Sequence, residues 1–310
     1  MILQCKRDTK FRKKYFTPES FAHPAKMDAR LLLWLVGKYT HVGEIILDNM
    51  AGSGTTMLAC RLGRDVILVD LEAKFCKMMK ANWEVVKQHP QLGYKMGTAT
   101  ILQGDARNLQ GLLADSIISS PPYANIGHSQ GNSEMQKNII QKKHTWAGQE
   151  YSDNKSNIGN LPYGNIDSII TSPPYGGILD GTGEGPLVTS KRNPHFKPMS
   201  SGYSASKANI GNLKSGSYLA QMFLIYQQCY KALKPQSLMI LVTKNYIRNK
   251  QIIRLDLDII RLCYQANFDL EERHYRKLPS QSFWRILYHK KYPEVPLIEY
   301  EDILVFRKEQ

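Results

Sequence analysis

Apolar residues follow two periods along this 310-residue chain, and the switches between them mark its elements. Residues 27–39 crowd Leu31, Leu32, Leu35 and Val36 onto one helical face. Gly43 resets the chain, and Glu44 to Leu47 is a short buried strand. Asp48 to Gly54 is a loop that opens a helix over Thr55 to Leu62. Asp65-Val-Ile-Leu-Val-Asp70 predicts a second strand, and Thr98 to Asp105 a third, each ending in an acid. Between them Lys74 to Gln88 is a helix whose Phe75, Met78, Met79, Trp83 and Val86 form a core-facing stripe. Strands alternating with helices predict an α/β fold with a parallel, doubly wound sheet.

The period then fades. Residues 124–166 and 176–216 are rich in Gly, Asn, Ser and Lys, which predicts two long insertion loops. Loops of that length in a compact domain are unusual unless functional. Order returns with a helix over Leu219 to Leu233, a stop at Lys234-Pro235 and a strand over Ser237 to Thr243. Leu257 to Gln265 predicts a helix. Phe268 to Arg276, Ser282 to Tyr288 and Ile303 to Phe306 predict the closing antiparallel strands. The expected organisation is a basic arm over 1–18 and one domain over 19–310 carrying both loops.

Each loop begins at the same tetrapeptide. Asp115-Ser-Ile-Ile-Ser-Ser-Pro-Pro-Tyr123 recurs as Asp167-Ser-Ile-Ile-Thr-Ser-Pro-Pro-Tyr175. At the same offset, Tyr151-Ser-Asp-Asn-Lys-Ser-Asn-Ile-Gly-Asn160 recurs as Tyr203-Ser-Ala-Ser-Lys-Ala-Asn-Ile-Gly-Asn212, so one unit is copied in register. Two prolines after an apolar run end a strand abruptly. They set a hydroxyl, a carbonyl and an aromatic ring at the strand's carboxyl end, where open α/β sheets bind ligands.

Ser172-Pro173-Pro174-Tyr175 and Ser120-Pro121-Pro122-Tyr123 resemble the catalytic tetrapeptide of the S-adenosylmethionine-dependent DNA amino-methyltransferases. Those enzymes methylate N4 of cytosine or N6 of adenine. Two further blocks carry the likeness: His23-Pro-Ala-Lys-Met27 before the first helix, and Ile45-Ile-Leu-Asp-Asn-Met-Ala-Gly-Ser-Gly-Thr-Thr56, which resembles the family's cofactor loop. The likeness runs from about residue 19 to the end and implies a Rossmann-like sheet of seven strands, the last reversed. It further implies methyl transfer to an exocyclic amine, with Ser in the first position leaning towards N4-cytosine over N6-adenine. DNA is the implied partner, and a restriction endonuclease a possible companion. An RNA base N-methyltransferase and an inactive nucleic-acid-binding protein are the competing readings.

The loop's chemistry agrees. Gly52 and Gly54 allow close backbone approach within Asp48, Ala51, Ser53 and Thr55, and a helix amino terminus offers N–H groups to a carboxylate. A nicotinamide fingerprint would need glycine where Met57 stands. Asp70 is placed to accept ribose hydroxyls and Asp105 the adenine amine, or both are simply strand-end turn residues. Lys26 is implied to pair with the cofactor carboxylate, or is an exposed lysine at a helix start. The second tetrapeptide is the expected catalytic copy, because its loop rejoins the sheet directly; the first is the alternative.

Composition narrows the partner. A net charge of +14 suits a polyanion, since lysine and arginine gain by displacing condensed counterions. Residues 1–14 hold Lys6, Arg7, Lys10, Arg12, Lys13 and Lys14 against only Asp8, so this arm either follows a phosphate backbone or is a solvated tail. Five scattered cysteines suit a reducing cytoplasm and predict neither a metal site nor disulfides. None follows a proline, which excludes the Pro-Cys nucleophile of cytosine-C5 methylases. No apolar run is long enough to span a bilayer, so no membrane is expected.

Overall fold

A computed structural model of the chain describes residues 1–23, 26–110, 164–174, 209, 210, 213, 215–248, 250–281 and 283–309. The first tetrapeptide, Ser120 to Tyr123, lies outside the described residues, as do Tyr175 and most of both loops. Strands β1 (Ile2–Gln4), β2 (Ile45–Asp48), β3 (Asp65–Asp70), β4 (Ala99–Gln103), β5 (Ile166–Thr171) and β6 (Leu233–Thr243) belong to the main sheet. A separate hairpin pairs β7 (Tyr246–Arg248) with β8 (Gln251–Ile253), and β9 (Phe268–Lys277) and β10 (Tyr300–Lys308) complete the main sheet. Among the described residues its order is β1-β9-β10-β6-β5-β2-β3-β4.

Strands β6, β5, β2, β3 and β4 run parallel, and β10 is antiparallel to both β6 and β9. This is the expected doubly wound, Rossmann-like sheet with one reversed strand. Among the described residues it has one strand more than the expected seven, because β1 adds to the edge in parallel with β9.

The pleat of β2 explains the two cores. Ile45 and Leu47 face one side and Ile46 the other, and all three are buried. On the first side pack α4 (Ser215–Ala232), through Met222, Ile225 and Tyr226, and α5 (Leu255–Gln265), through Ile259. On the other pack α2 (Ala29–Tyr39), through Leu31, Leu32, Leu35 and Val36, and α3 (Ala73–Val86), through Met79 and Val86. Asp28 caps α2 by accepting from the Arg30 and Leu31 amides at 3.0 and 3.1 Å.

Three expectations change. The segment from Ser282 to Tyr288, expected as a strand, instead gives helix α6 (Phe283–Lys291). β10 already has β9 and β6 on its two sides, so the sheet has no slot there for another strand. Thr55 to Leu62 forms a 3-10 helix bracketed by Gly54 and Gly63, both left-handed. The basic stretch over 1–18 is folded onto the domain: β1 pairs with β9, and α1 (Thr9–Tyr15) carries Arg12 at 2% exposure. Arg12 donates to Asp8 at 3.2 Å, to Thr55 Oγ1 at 3.1 Å and to the Met27 carbonyl. A guanidinium so held faces the interior, where no phosphate backbone runs.

Candidate active site

The carboxyl ends of β2, β3, β4 and β5 open into one cavity. Of the residues singled out from sequence, Lys26, Asp48, Ala51, Gly52, Ser53, Thr55, Asp70 and Asp105 line it. Ser172 and Pro174 line it too, so the second tetrapeptide meets the glycine loop. The reason lies in the sheet order: β5 is the immediate neighbour of β2, with Ile46 opposite Ser168 and Leu47 opposite Ile169.

Asp48 is 4% exposed and accepts from Thr56 Oγ1 at 2.5 Å, Thr171 Oγ1 at 2.8 Å and the Met50 amide at 3.4 Å. Burial pushes its carboxyl up to about 6, against the pull of the two threonine hydroxyls. Asp70 accepts from the Gly52 amide at 2.8 Å and the Glu72 amide at 2.9 Å, and burial raises it as well, to about 6. The Gly52 N–H is thus given to Asp70. Asp105 is gripped by Arg107 through Nε at 2.9 and 3.0 Å. Burial alone would raise Asp105, and the Arg107 bonds outweigh it and hold the carboxyl below its usual value. Lys26 Nζ donates to the carbonyls of Phe21, at 3.0 Å, and His23; burial, then Arg12, lowers its pKa.

Gly52 stands at φ +54°, and a Cβ there would come within 2.7 Å of the His23 ring. That ring packs on Phe75 with centroids 4.4 Å apart. Gly54, at φ +75°, leaves room for Met57 and for Met79 of α3. The underside of the loop is braced from elsewhere: Arg12 holds the Thr55 hydroxyl, and Asn82 Nδ2 donates to the Ser53 carbonyl at 2.9 Å. Thr17 donates to the same Asn82 side chain from backbone and hydroxyl, at 2.9 and 3.0 Å. The amino-terminal stretch is therefore part of the cavity's support.

Sequence reasoning passed over three participants. Asn209 Nδ2 donates to Glu72 Oε1 at 2.6 Å, and both residues line the cavity. The signal for Asn209 was its place in the repeated Asn-Ile-Gly-Asn, where it matches Asn157. Tyr218, at the start of α4 and 3% exposed, donates from its hydroxyl to the Pro174 carbonyl at 2.7 Å and steadies the tetrapeptide. Nothing in its local pattern set it apart from a core aromatic.

The donor set fits S-adenosylmethionine in kind. Lys26 offers a cation for its carboxylate, Asp70 an acceptor for its hydroxyls, and Phe75 and Ile210 an apolar wall for its base. Sheet and cavity together define a Rossmann-like α/β domain with a ligand site at the carboxyl ends of its strands.

Comparison with known proteins carries this one step further. A family model described as DNA methylase, of the N6/N4 methyltransferase type, matches residues 3–81, from β1 through the glycine loop into α3. The match supports a methyltransferase of the N6/N4 DNA methylase family, and S-adenosylmethionine as cofactor agrees with it. It begins at residue 3, inside the stretch expected as a separate arm. No curated protein matches the chain. Among solved structures, TrmN from Thermus thermophilus is 14% identical with a TM-score of 0.39, over 90% of this chain. This chain spans only 48% of that protein's length. A TehB-like SAM-dependent methyltransferase from Corynebacterium glutamicum is 12% identical with a TM-score of 0.38, over 91% of this chain and 86% of its own. A SAM-dependent methyltransferase from Methanosarcina mazei is 11% identical with a TM-score of 0.43, over 89% of this chain and 97% of its own. Among the described residues no helix is long and apolar enough to cross a membrane.

Proposed function

We propose that the protein is a DNA methyltransferase that moves a methyl group from S-adenosylmethionine to an exocyclic base amine, N4 of cytosine in the first instance. The observation that carries this reading is the shared cavity: Ser172 and Pro174 line the same space as Asp48, Gly52 and Asp70. In this reading Lys26, Asp70 and Asp105 hold the cofactor's carboxylate, ribose and adenine amine. Asp105 can do so while it remains paired to Arg107, because a carboxylate has more than one acceptor site.

An exocyclic amine is a poor nucleophile, because its lone pair is drawn into the ring. The Ser172 hydroxyl and the Pro173 carbonyl accept hydrogen bonds from that amine and turn its lone pair out of the ring plane. Tyr175 stacks on the base once it has left the duplex. Tyr218 keeps the tetrapeptide backbone in position through Pro174. When bound, S-adenosylmethionine supplies an electrophilic methyl group, and proximity and orientation do most of the remaining work. Ser120 to Tyr123 then serve to guide the substrate or to shape its loop. The preference for cytosine over adenine rests on serine in the first position.

Incubating the protein with labelled S-adenosylmethionine and a mixture of DNA and RNA, then analysing nucleosides by mass spectrometry, tests the reading. N4-methylcytosine in DNA is the expected product. N6-methyladenine would move the target base, and label confined to RNA would overturn the substrate.

A further inference from the structure

The rim of the sheet that holds the cavity also carries a band of positive charge with no role in the chemistry above. The segment 244–254 leaves the end of β6 and forms the β7–β8 hairpin, with Lys244, Arg248, Lys250 and Arg254 and no acidic residue. Helix α6 leaves the same rim after β9, and residues 283–292 bear Arg285, His289, Lys290 and Lys291, again with no acid. The two segments meet: Lys250 Nζ lies 4.2 Å from the centroid of the Tyr292 ring. Acidic groups touch the band at its borders, where Glu294 faces Lys250 at 3.4 Å and Asp256 holds Arg254 at 2.7 Å.

α6 adds a second property. Ile286 and Leu287 are 43% and 38% exposed, and each stands four residues before an exposed lysine, Lys290 or Lys291. Positions four apart share a helical face, so the outward stripe pairs apolar side chains with cations. A protein partner would be expected to want a wider apolar patch than two residues. A polyanion with an apolar sugar edge matches both halves of the stripe.

The position suits the reaction. β6 is the strand next to β5, and β9 lies three strands from β5. At a spacing of about 4.8 Å per strand, the two segments leave the sheet roughly 5 and 15 Å along its rim from β5, the strand that leads into Ser172.

Resting on the DNA reading above, we propose that the β7–β8 hairpin and α6 bind the sugar–phosphate backbone of the DNA duplex beside the target base. Lys290 and Lys291 meet phosphates, and Ile286 and Leu287 lie against the sugars between them. Phosphate contacts of this kind fix register and orientation without reading sequence.

The test is titration of the full-length protein with a fluorescent DNA duplex over a range of salt concentrations. Two double variants are compared: K290Q/K291Q on the band, and K95Q/K231Q at exposed positions on the opposite rim. The band variant should bind DNA about tenfold more weakly, and its log–log salt slope should shrink by about 1.8, or 0.9 for each lost phosphate contact. Its affinity for S-adenosylmethionine and its transfer rate at saturating DNA should match the unsubstituted protein, which also shows that it is folded. The control should keep affinity and slope. An unchanged slope in K290Q/K291Q overturns the proposal, as does an equal loss in the control or tighter binding to an RNA duplex of the same length. If the unsubstituted protein transfers no methyl group to DNA, the enzymatic reading fails and this inference falls with it. Transfer with an unchanged slope removes the inference alone.

Discussion

Thr171 Oγ1 donates to Asp48 Oδ1 at 2.8 Å, joining the last residue of the strand before the tetrapeptide to the last residue of the strand before the glycine loop. One side chain on each strand thus fixes the separation of the two halves of the cavity. Thr171→Val keeps the shape and removes the hydroxyl. We expect a loss of about 1–3 kcal/mol in stability at neutral pH, because a buried carboxylate loses a donor. Denaturant unfolding of the two proteins measures it.

The same carboxylate makes stability depend on pH. Asp48 is raised to about 6 in the folded chain, against about 3.9 when unfolded. The folded state therefore holds its proton more tightly. Its contribution to stability is complete below about pH 4 and is lost as pH rises through 6, by an amount on the order of 3 kcal/mol. Asp48→Asn lacks that dependence, and its amide can exchange hydrogen bonds with both threonine hydroxyls. Its melting temperature relative to the unsubstituted protein should therefore climb between pH 4 and pH 7. A difference that stays constant over this range would contradict the buried, raised carboxyl.

Gly52→Ala should weaken S-adenosylmethionine binding for two reasons that can be separated. Left-handed backbone costs a non-glycine residue roughly 1–2 kcal/mol, and the new Cβ meets the His23 ring at 2.7 Å. In the His23→Ala background the second cost disappears and the first remains. Calorimetric affinities of the four proteins in the cycle should show the Gly52→Ala penalty shrinking once the ring is gone.

Ser172→Ala should slow methyl transfer about a hundredfold, the usual effect of losing one preorganised group, on the order of 3 kcal/mol. S-adenosylmethionine affinity should persist, since the glycine loop is untouched. Ser120→Ala should act mildly. Single-turnover rates with saturating DNA and cofactor discriminate, and the opposite pattern exchanges the roles of the two copies.

Tyr218→Phe deletes one hydroxyl from a packed position and leaves the ring in place. The Pro174 carbonyl then lacks the donor at 2.7 Å, a net effect of about 0.5–1.5 kcal/mol. We expect the maximal rate to fall roughly two- to tenfold, with the Michaelis constant for DNA and the cofactor affinity unchanged. A change in the Michaelis constant alone would assign Tyr218 to substrate binding instead.

What could be read from sequence was what is local. Strand, Asp48, Gly52, Gly54 and a following helix stand within one short stretch, so their order sufficed to locate the glycine loop. Placing the second tetrapeptide beside it needed only the observation that its loop leads straight back into periodic sequence. The braces could not be read in this way. Arg12 meets Thr55, Tyr218 meets Pro174 and Asn209 meets Glu72 across long stretches of chain, and no period links them. Gly52 was assigned to ligand approach alone, because the His23 ring above it arrives from another element. Ser282 to Tyr288 failed for a different reason. Its short aromatic and aliphatic run suits a strand or a helix equally well, and the filled sides of β10 decide between them.

The pairing of β1 with β9 orders events in time. Ile2 to Gln4 can dock only against residues 275–277, which leave the ribosome some 270 positions later. At 5–20 residues per second that is a wait of roughly 15–50 s. Arg12 has no such wait, since Met27 and Thr55 emerge soon after it. The nascent chain should thus brace its glycine loop early and seal the edge of its sheet last.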